Sequence, residues 1–212
     1  MYGNADQMPV REDAPTPPIS PYGSSKLMSE IMLHDSGRAY GLRFVVLRYF
    51  NVAGADPKQR TGQSTPAATH LIKVACEAAL GKRPKIEIFG TDYPTPDGTC
   101  IRDYVHVSDL ARAHSAALAY LRRGGESATF NCGYGRGASV REVISSVKRM
   151  SRRDFPVEIS GRRAGDPVAL VADVTRIRST LDWRPQFQDL DTIVSHAFAW
   201  EQLAAKRKTA AA

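Results

Sequence analysis

Tyr22 and Lys26 are the residues whose types and spacing most directly suggest chemistry. Side chains four positions apart on a helix share one face and lie about one turn from each other. A phenol with an ordinary pKa near 10 is a poor base at neutral pH, but a neighbouring ammonium favours the phenolate. The pair could therefore remove a proton from a hydroxyl group. The spacing alone is weak support, because solvated helix faces carry it by chance.

The surrounding pattern predicts the elements that would hold this pair. Residues 24–40 show helical periodicity that ends at Gly41, and the apolar run 44–47 is typical of a strand buried on both faces. A helix followed by a buried strand favours a parallel α/β sheet. Asn51 follows that strand, and open α/β sheets bind ligands at the carboxyl ends of their strands.

The rest of the chain predicts a mixture of helices and strands. Residues 4–21 contain five prolines and are expected to form a surface loop. Asp109 should lie in the first turn of a helix, and Ser139 and Glu142 have the capping-box spacing. Helices are predicted at 67–80, 108–122, 139–150, 175–181 and 190–205, and strands at 86–89, 101–107, 128–132, 157–160 and 169–172.

Composition narrows the class of protein. The chain has 212 residues and is 42% hydrophobic, which suits an ordinary globular fold. It carries neither a membrane-spanning run nor a signal-peptide pattern, so we expect a cytoplasmic protein. Three widely spaced cysteines predict neither disulfides nor a metal site. The net charge of +7 is scattered, so no nucleic-acid partner is expected.

Five stretches carry motifs in a fixed order and spacing. They are YG (2–3), PYGSSKL (21–27), LRYFNVAGA (47–55), FGTDYPTPDGTCIRDYVHV (89–107) and RRAGDP (162–167). Together they resemble the UDP-glucose 4-epimerase family of extended short-chain dehydrogenase/reductases. The stretch 89–107 is the most specific of the five.

The resemblance implies a fold and a domain division. The expected fold is α/β: the C-terminal part of a Rossmann-like doubly wound parallel sheet, plus a smaller mixed α/β domain that binds sugar nucleotides. Residues 1–53 would be a remnant of the NAD-binding domain. Residues 54–205 would be mainly the UDP-sugar domain, with the chain crossing back, and 206–212 a basic and alanine-rich tail.

The resemblance also implies a reaction, the interconversion of UDP-glucose and UDP-galactose through a 4-keto intermediate with bound NAD. Tyr22 would be the base for the 4-hydroxyl, and Lys26 would hold the ribose hydroxyls of NAD. Tyr49 and Phe50 would lie beside the nicotinamide. The implied substrate-binding residues are Asn51, His70, Leu71, Phe89, Arg102, Arg163, Asp166 and Leu170.

Several of these substrate assignments have alternatives. Leu71 and Phe89 could be simple core residues, and Arg102 could form a surface ion pair with Asp103. His70 stands where the family often has Asn. Leu170 stands where some members have Tyr or Cys, so acceptance of N-acetylated sugars stays open.

Residues 133–138 satisfy G-x-G-x-x-A between a predicted strand and a predicted helix. In isolation this pattern indicates a dinucleotide-binding turn. The family carries a similar turn in its substrate domain, so we expect a structural role.

The resemblance places the family's glycine-rich cofactor loop, and the Ser or Thr that assists Tyr22, before residue 2. We therefore expect negligible epimerase activity from these 212 residues alone. The alternatives are a non-catalytic remnant that binds UDP-sugar or a protein partner, and a UDP-pentose 4-epimerase fragment. The intact family suggests a possible homodimer.

Overall fold

Six helices and nine short strands form the part of the chain that the computed structural model describes, residues 1–3, 5 and 7–210. The helices are α1 (Pro21–Tyr40), α2 (Leu71–Ala79), α3 (Val107–Arg122), α4 (Val140–Ser151), α5 (Thr175–Thr180) and α6 (Leu190–Ala210). The strands are β1 (Val45–Tyr49), β2 (Asn51–Ala53), β3 (Ile86–Phe89), β4 (Ile101–Arg102), β5 (Tyr104–His106), β6 (Ala128–Cys132), β7 (Ala138–Ser139), β8 (Val157–Ser160) and β9 (Ala169–Leu170).

Parallel pairing dominates these strands, which confirms the predicted α/β class. β1 pairs with β6, β2 with β5 and β3 with β8, all in parallel, and β4 lies between antiparallel β7 and parallel β9. The chain changes partner between Phe50, whose N–H donates to Cys132 O at 3.1 Å, and Asn51, whose N–H donates to Asp103 O at 2.9 Å. Asn51 therefore lies where the chain leaves one sheet and joins another.

Local capping explains where α1 begins and ends. The Ser20 hydroxyl accepts from Gly23 N–H at 3.1 Å, and Pro21 fits the first turn because it needs no N–H partner there. The helix thus begins three residues before its predicted start. It ends at Gly41, whose φ of 67° is readily adopted by glycine.

The hydrophobic core lies where α2, α4 and α6 pack together and where β6 is covered by α5. Phe130, Val143 and Ile193 are fully or almost fully buried there. Trp183 is also buried, and its indole N–H donates to the carbonyl of Asp109 at 2.9 Å.

Four predicted boundaries are corrected by the structure. The helix predicted at 67–80 begins at Leu71, because Ala67 has a left-handed φ of 53°. The strand predicted at 101–107 is divided at Asp103 into β4 and β5. The strand predicted at 169–172 ends at Leu170. The helix predicted at 190–205 continues to Ala210.

Two burial predictions also need revision. Val45, Val46 and Leu47 are only partly buried, so β1 is not covered on both faces. Within the predicted surface loop, Val10 is 1% exposed and forms a parallel bridge to Ala172. Residues 4 and 6 of that loop lie outside the described residues.

The glycine-rich turn at 133–138 is anchored from inside the protein. The buried Asp103 carboxylate accepts from the N–H groups of Tyr134, Gly135 and Ala172. Burial raises the pKa of Asp103, and these three donors oppose the rise. Since the turn directs amides toward an internal carboxylate, the structure supports the structural interpretation.

Within the described residues, no helix combines the length and apolar character that crossing a bilayer requires. The division of the chain at residues 53 and 205 stays a prediction.

Candidate active site

A cavity of about 550 Å³ brings together most of the predicted substrate residues. Seven of the eight line it: Asn51, His70, Leu71, Phe89, Arg102, Arg163 and Asp166. Leu170 does not line this cavity, although it is the register partner of Arg102 in the β4–β9 pair. The lining brings together residues that are more than a hundred positions apart in the sequence, such as Asn51 and Asp166.

Element ends place these side chains around the cavity. Asn51 begins β2, Phe89 ends β3 and Arg102 ends β4. His70 is the N-cap of α2, and Leu71 is its first residue. The sequence pattern located the end of β3 but not the start of α2 or the end of β4, and only the crossing between sheets makes these ends converge.

The ion pairs at the cavity decide between the two interpretations of Arg102, as a substrate-binding residue or as the partner of Asp103. Arg102 Nη2 lies 3.2 Å from Asp166 Oδ1, whereas the Asp103 carboxylate is buried against backbone amides. The guanidinium carbon of Arg163 lies 3.6 Å from the ring centroid of Phe89. Arg102 thus faces the cavity with Asp166 rather than pairing with Asp103.

The alternative that Leu71 is a simple core residue is partly correct. It is half-buried and packs against the hydrophobic core while it also lines the cavity. Phe89 is half-buried and carries Arg163 on its ring face.

Sequence reasoning missed two cations in this cavity, Arg83 and Lys85. Arg83 Nε lies 2.5 Å from Glu77, and Lys85 Nζ lies 2.5 Å from Glu158. Hydrogen bonding to Glu158 raises the pKa of Lys85, so the amine stays charged at neutral pH. The basic run Lys82-Arg83-Pro84-Lys85, directly before β3, was the available signal.

The lining has more positive than negative side chains. Arg83, Lys85, Arg102 and Arg163 stand against Glu87 and Asp166. Glu77 and Glu158 pair with Arg83 and Lys85, so the guanidinium groups of Arg102 and Arg163, which are well matched to phosphate oxygens, are the cations that suit a negatively charged ligand.

Tyr22 and Lys26 lie in the first turns of α1, outside this cavity lining. Tyr22 is 69% exposed, and the Lys26 ammonium lies 5.2 Å from the Tyr22 ring centroid. The predicted proximity of phenol and ammonium is therefore present. Tyr49 is 50% exposed, and Phe50 is half-buried with its ring centroid 6.4 Å from that of Tyr2.

A buried network that the sequence analysis did not identify holds α1 against β1. Glu30 on α1 is 6% exposed and accepts from Arg48 of β1, with distances of 2.5 and 3.0 Å. Arg48 also donates to the Tyr2 hydroxyl at 2.8 Å, and Tyr2 donates to Asn131 at 2.6 Å. This network fixes the helix that carries Tyr22 and Lys26 relative to the strand that leads to Asn51.

The charge of Arg48 is sustained by its partners. Burial lowers the pKa of Arg48, but the hydrogen bonds to Glu30 and Tyr2 outweigh burial and raise it overall. A buried ion pair of this kind holds α1 and β1 in a fixed orientation. Removal of one partner would leave the other charge buried and unpaired, which destabilises the fold.

Similarity to known proteins agrees with this geometry. Residues 1–133 match the NAD dependent epimerase/dehydratase family. A UDP-glucose 4-epimerase of Azospirillum brasilense is 63% identical over 202 residues, which cover 95% of this chain and 58% of that protein. The chain thus spans little more than half the length of this relative.

Solved structures give the same result. A UDP-glucose 4-epimerase from Brucella ovis in complex with NAD has a TM-score of 0.90 and 47% identity, over 93% of this chain and 61% of that one. A UDP-glucose-4-epimerase from Stenotrophomonas maltophila with bound NAD and formylated UDP-arabinopyranose has a TM-score of 0.93 and 36% identity, over 97% and 62%. By fold and by sequence, this chain belongs to the NAD dependent epimerase/dehydratase family.

Proposed function

We propose that the cavity binds the UDP part of a UDP-hexose and that the chain takes part in the 4-epimerisation of UDP-glucose and UDP-galactose. One observation carries the proposal: seven residues expected to bind substrate line a single cavity of about 550 Å³. The matched relatives are themselves described as UDP-glucose 4-epimerases.

The cationic side of the cavity would hold the diphosphate. Arg102 and Arg163 offer guanidinium groups, and Asn51 offers an amide at the point where two sheets separate. Asp166 would accept from ribose hydroxyls, and Leu71 and Phe89 would contact the uracil. Leu170, next to Arg102 in register, would face the sugar end.

Tyr22 and Lys26 would perform the proton chemistry. The Lys26 ammonium lies 5.2 Å from the centroid of the Tyr22 ring, and the Tyr22 oxygen would take the proton of the 4-hydroxyl. Tyr22 would return the proton to that oxygen once the hydride taken from C4 has been restored on the opposite face of the sugar.

The exposed side chains at the start of α1 and the end of β1 fit a cofactor on this face. Tyr22, Lys26 and Tyr49 are all exposed there, and Phe50 is half-buried beside them. They would contact the nicotinamide and its ribose. NAD, when bound, supplies the acceptor and donor of the hydride.

The proposal extends to a cytoplasmic homodimer without a nucleic-acid partner. Cys76, Cys100 and Cys132 are buried free thiols, as is usual in reducing compartments. Apolar side chains exposed on α1 could be covered by a second copy.

Calorimetric titration of the 212-residue chain with UDP tests the binding part. We expect Arg102→Ala to weaken UDP binding about 10- to 30-fold, because a charge-assisted hydrogen bond to phosphate contributes roughly 1.5–2 kcal/mol. Arg122→Ala, an exposed arginine at the end of α3, is the matched control and should bind as the unaltered chain does. Equal affinities for the two variants would contradict the proposed site.

A further inference from the structure

The loop at residues 61–63 packs against Trp200 of α6. The Trp200 indole N–H donates to the carbonyl of Gln63 at 3.2 Å. A Cβ at Gly62 would lie 2.4 Å from the Trp200 ring, so only glycine lets the loop lie flat on the indole. The backbone of Gln63 is thus fixed by a residue near the other end of the chain.

From this fixed position Gln63 reaches the ring of His70. The distance between Gln63 Nε2 and His70 Nδ1 is 3.4 Å. A side-chain amide nitrogen can only donate, so this contact is a hydrogen bond when Nδ1 accepts, and that requires the proton of the neutral imidazole to be on Nε2. The two ring nitrogens therefore have different roles.

The backbone of His70 is equally constrained. His70 is the N-cap of α2 with φ −66° and ψ 128°, and its carbonyl accepts from Val74 N–H at 3.0 Å. His70 lines both a cavity of about 290 Å³, which Gln63 also lines, and the cavity proposed to bind UDP. Gln63 lines only the first cavity, so the ring nitrogen that it does not contact can serve the second.

We propose that Gln63 is a positioning residue that fixes the Nε2–H tautomer of His70, so that His70 donates a hydrogen bond to the diphosphate of the sugar nucleotide. This inference rests on the proposed function of the larger cavity. Without Gln63 the neutral imidazole would populate both tautomers, and in one of them an unprotonated Nε2 would meet a phosphate oxygen. Acceptor would then face acceptor, and binding would weaken.

Nitrogen-15 NMR of the imidazole rings in the 212-residue chain tests the tautomer directly. The chain has five histidines, and His70→Asn identifies the His70 signals by their loss. We expect the unaltered chain at pH 8 to show His70 with an unprotonated Nδ1 and a protonated Nε2. Gln63→Leu should shift the His70 signals toward the tautomer average. A predominant Nδ1–H form in the unaltered chain would overturn the inference.

Calorimetry with UDP then tests the consequence for binding. We expect Gln63→Leu to weaken binding about twofold, because a ring shared between the two tautomers can donate from Nε2 only about half of the time. In the His70→Asn background the same change should leave the affinity unchanged, because the Asn amide donates without help from Gln63. Gln202→Leu, an exposed glutamine on α6, is the control and should leave affinity unchanged.

The two proposals fail in different ways. Equal losses from Gln63→Leu in both backgrounds would show that Gln63 supports only the loop, and would overturn its action through His70. Absence of UDP binding by the unaltered, folded chain would overturn the proposed function and the diphosphate contact with it.

Discussion

His106 is fully buried, and both of its ring nitrogens are engaged. Its Nδ1 accepts from Ser108 N–H at 3.1 Å, so the ring proton is on Nε2 and is donated to His196 Nδ1, 3.0 Å away. Burial and the neighbouring His196 lower the pKa of His106 to about 4. The hydrogen bond between His106 and His196, which joins β5 to α6, therefore forms between neutral rings.

This arrangement predicts that stability falls on acidification. The pKa of His106 is about 4 in the folded state and 6.5 ordinarily, so the unfolded chain binds more protons between these values. The contribution of His106 to the free energy of unfolding should be fully present above pH 6.5 and should be lost as the pH falls toward 4. The slope should reach about 1.4 kcal/mol per pH unit for one proton.

Urea denaturation at pH 7, 6 and 5 measures that slope. His106→Asn should reduce it, even though the variant is less stable at every pH. His114→Asn, which replaces an exposed histidine on α3, should retain the slope. An unchanged slope in His106→Asn would show that other groups are responsible.

At the scale of elements, local signals determined where several helices begin. In α4, the Ser139 hydroxyl accepts from Glu142 N–H at 3.0 Å, and the Glu142 carboxylate accepts from Ser139 N–H at 2.7 Å, which confirms the predicted capping box. Asp109 in the first turn of α3 is likewise confirmed. These contacts involve neighbours within a few residues, so the sequence contains them.

The capping box gives a prediction for α4. Ser139→Ala should lower the free energy of unfolding by about 1–2 kcal/mol, since it removes the cap and also the Ser139 contact with Asp97. Ser115→Ala, which alters an exposed serine within α3, should change it by less than about 0.5 kcal/mol. Urea denaturation of both variants at pH 7 measures the difference, and similar losses would contradict the capping role.

Other element boundaries depended on distant residues and were wrong. The β4–β5 strand is interrupted at Asp103 because its carboxylate is used by amides more than thirty positions away. Apolar periodicity predicted a continuous strand there, since it carries no information about such a partner. The start of α2 was placed too early because the left-handed Ala67 has no distinctive sequence signal.

For the whole molecule, several apolar side chains on α1 and near the ends of β1 remain exposed. Met28, Met32 and Tyr49 are 63%, 69% and 50% exposed, and Tyr40 and Leu42 add to this surface. Exposed apolar patches of this kind mark surfaces that pack against other protein. The same helix carries Tyr22 and Lys26, so a partner that covers α1 would lie close to the proposed catalytic pair.

We predict that turnover needs residues beyond these 212, of the kind that the longer relatives contain. The 202 matched residues cover 58% of the Azospirillum brasilense protein. A fusion of the preceding segment of that protein to these 212 residues should epimerise UDP-galactose, whereas the 212-residue chain supplied with NAD should not. The fusion should also bind less of a hydrophobic dye such as anilinonaphthalene sulfonate.

A fusion to an unrelated soluble domain is the control for this experiment and should remain inactive. Tyr22→Phe in the active fusion should abolish most of its turnover while UDP binding is retained. Equal turnover by the 212-residue chain and the active fusion would contradict the prediction.

The sequence by itself determined the helices, most strands, the Tyr22–Lys26 spacing and the motifs that indicate the family, because these depend on residues near each other in the chain. Tertiary structure decided which of these residues share a cavity. Asn51, His70 and Arg163 converge because the chain changes sheets at Phe50 and returns through α2 and the 161–167 loop. It also decided the partners of Glu30, Asp103, Gln63 and His106, since each contact needs two segments that only folding brings together.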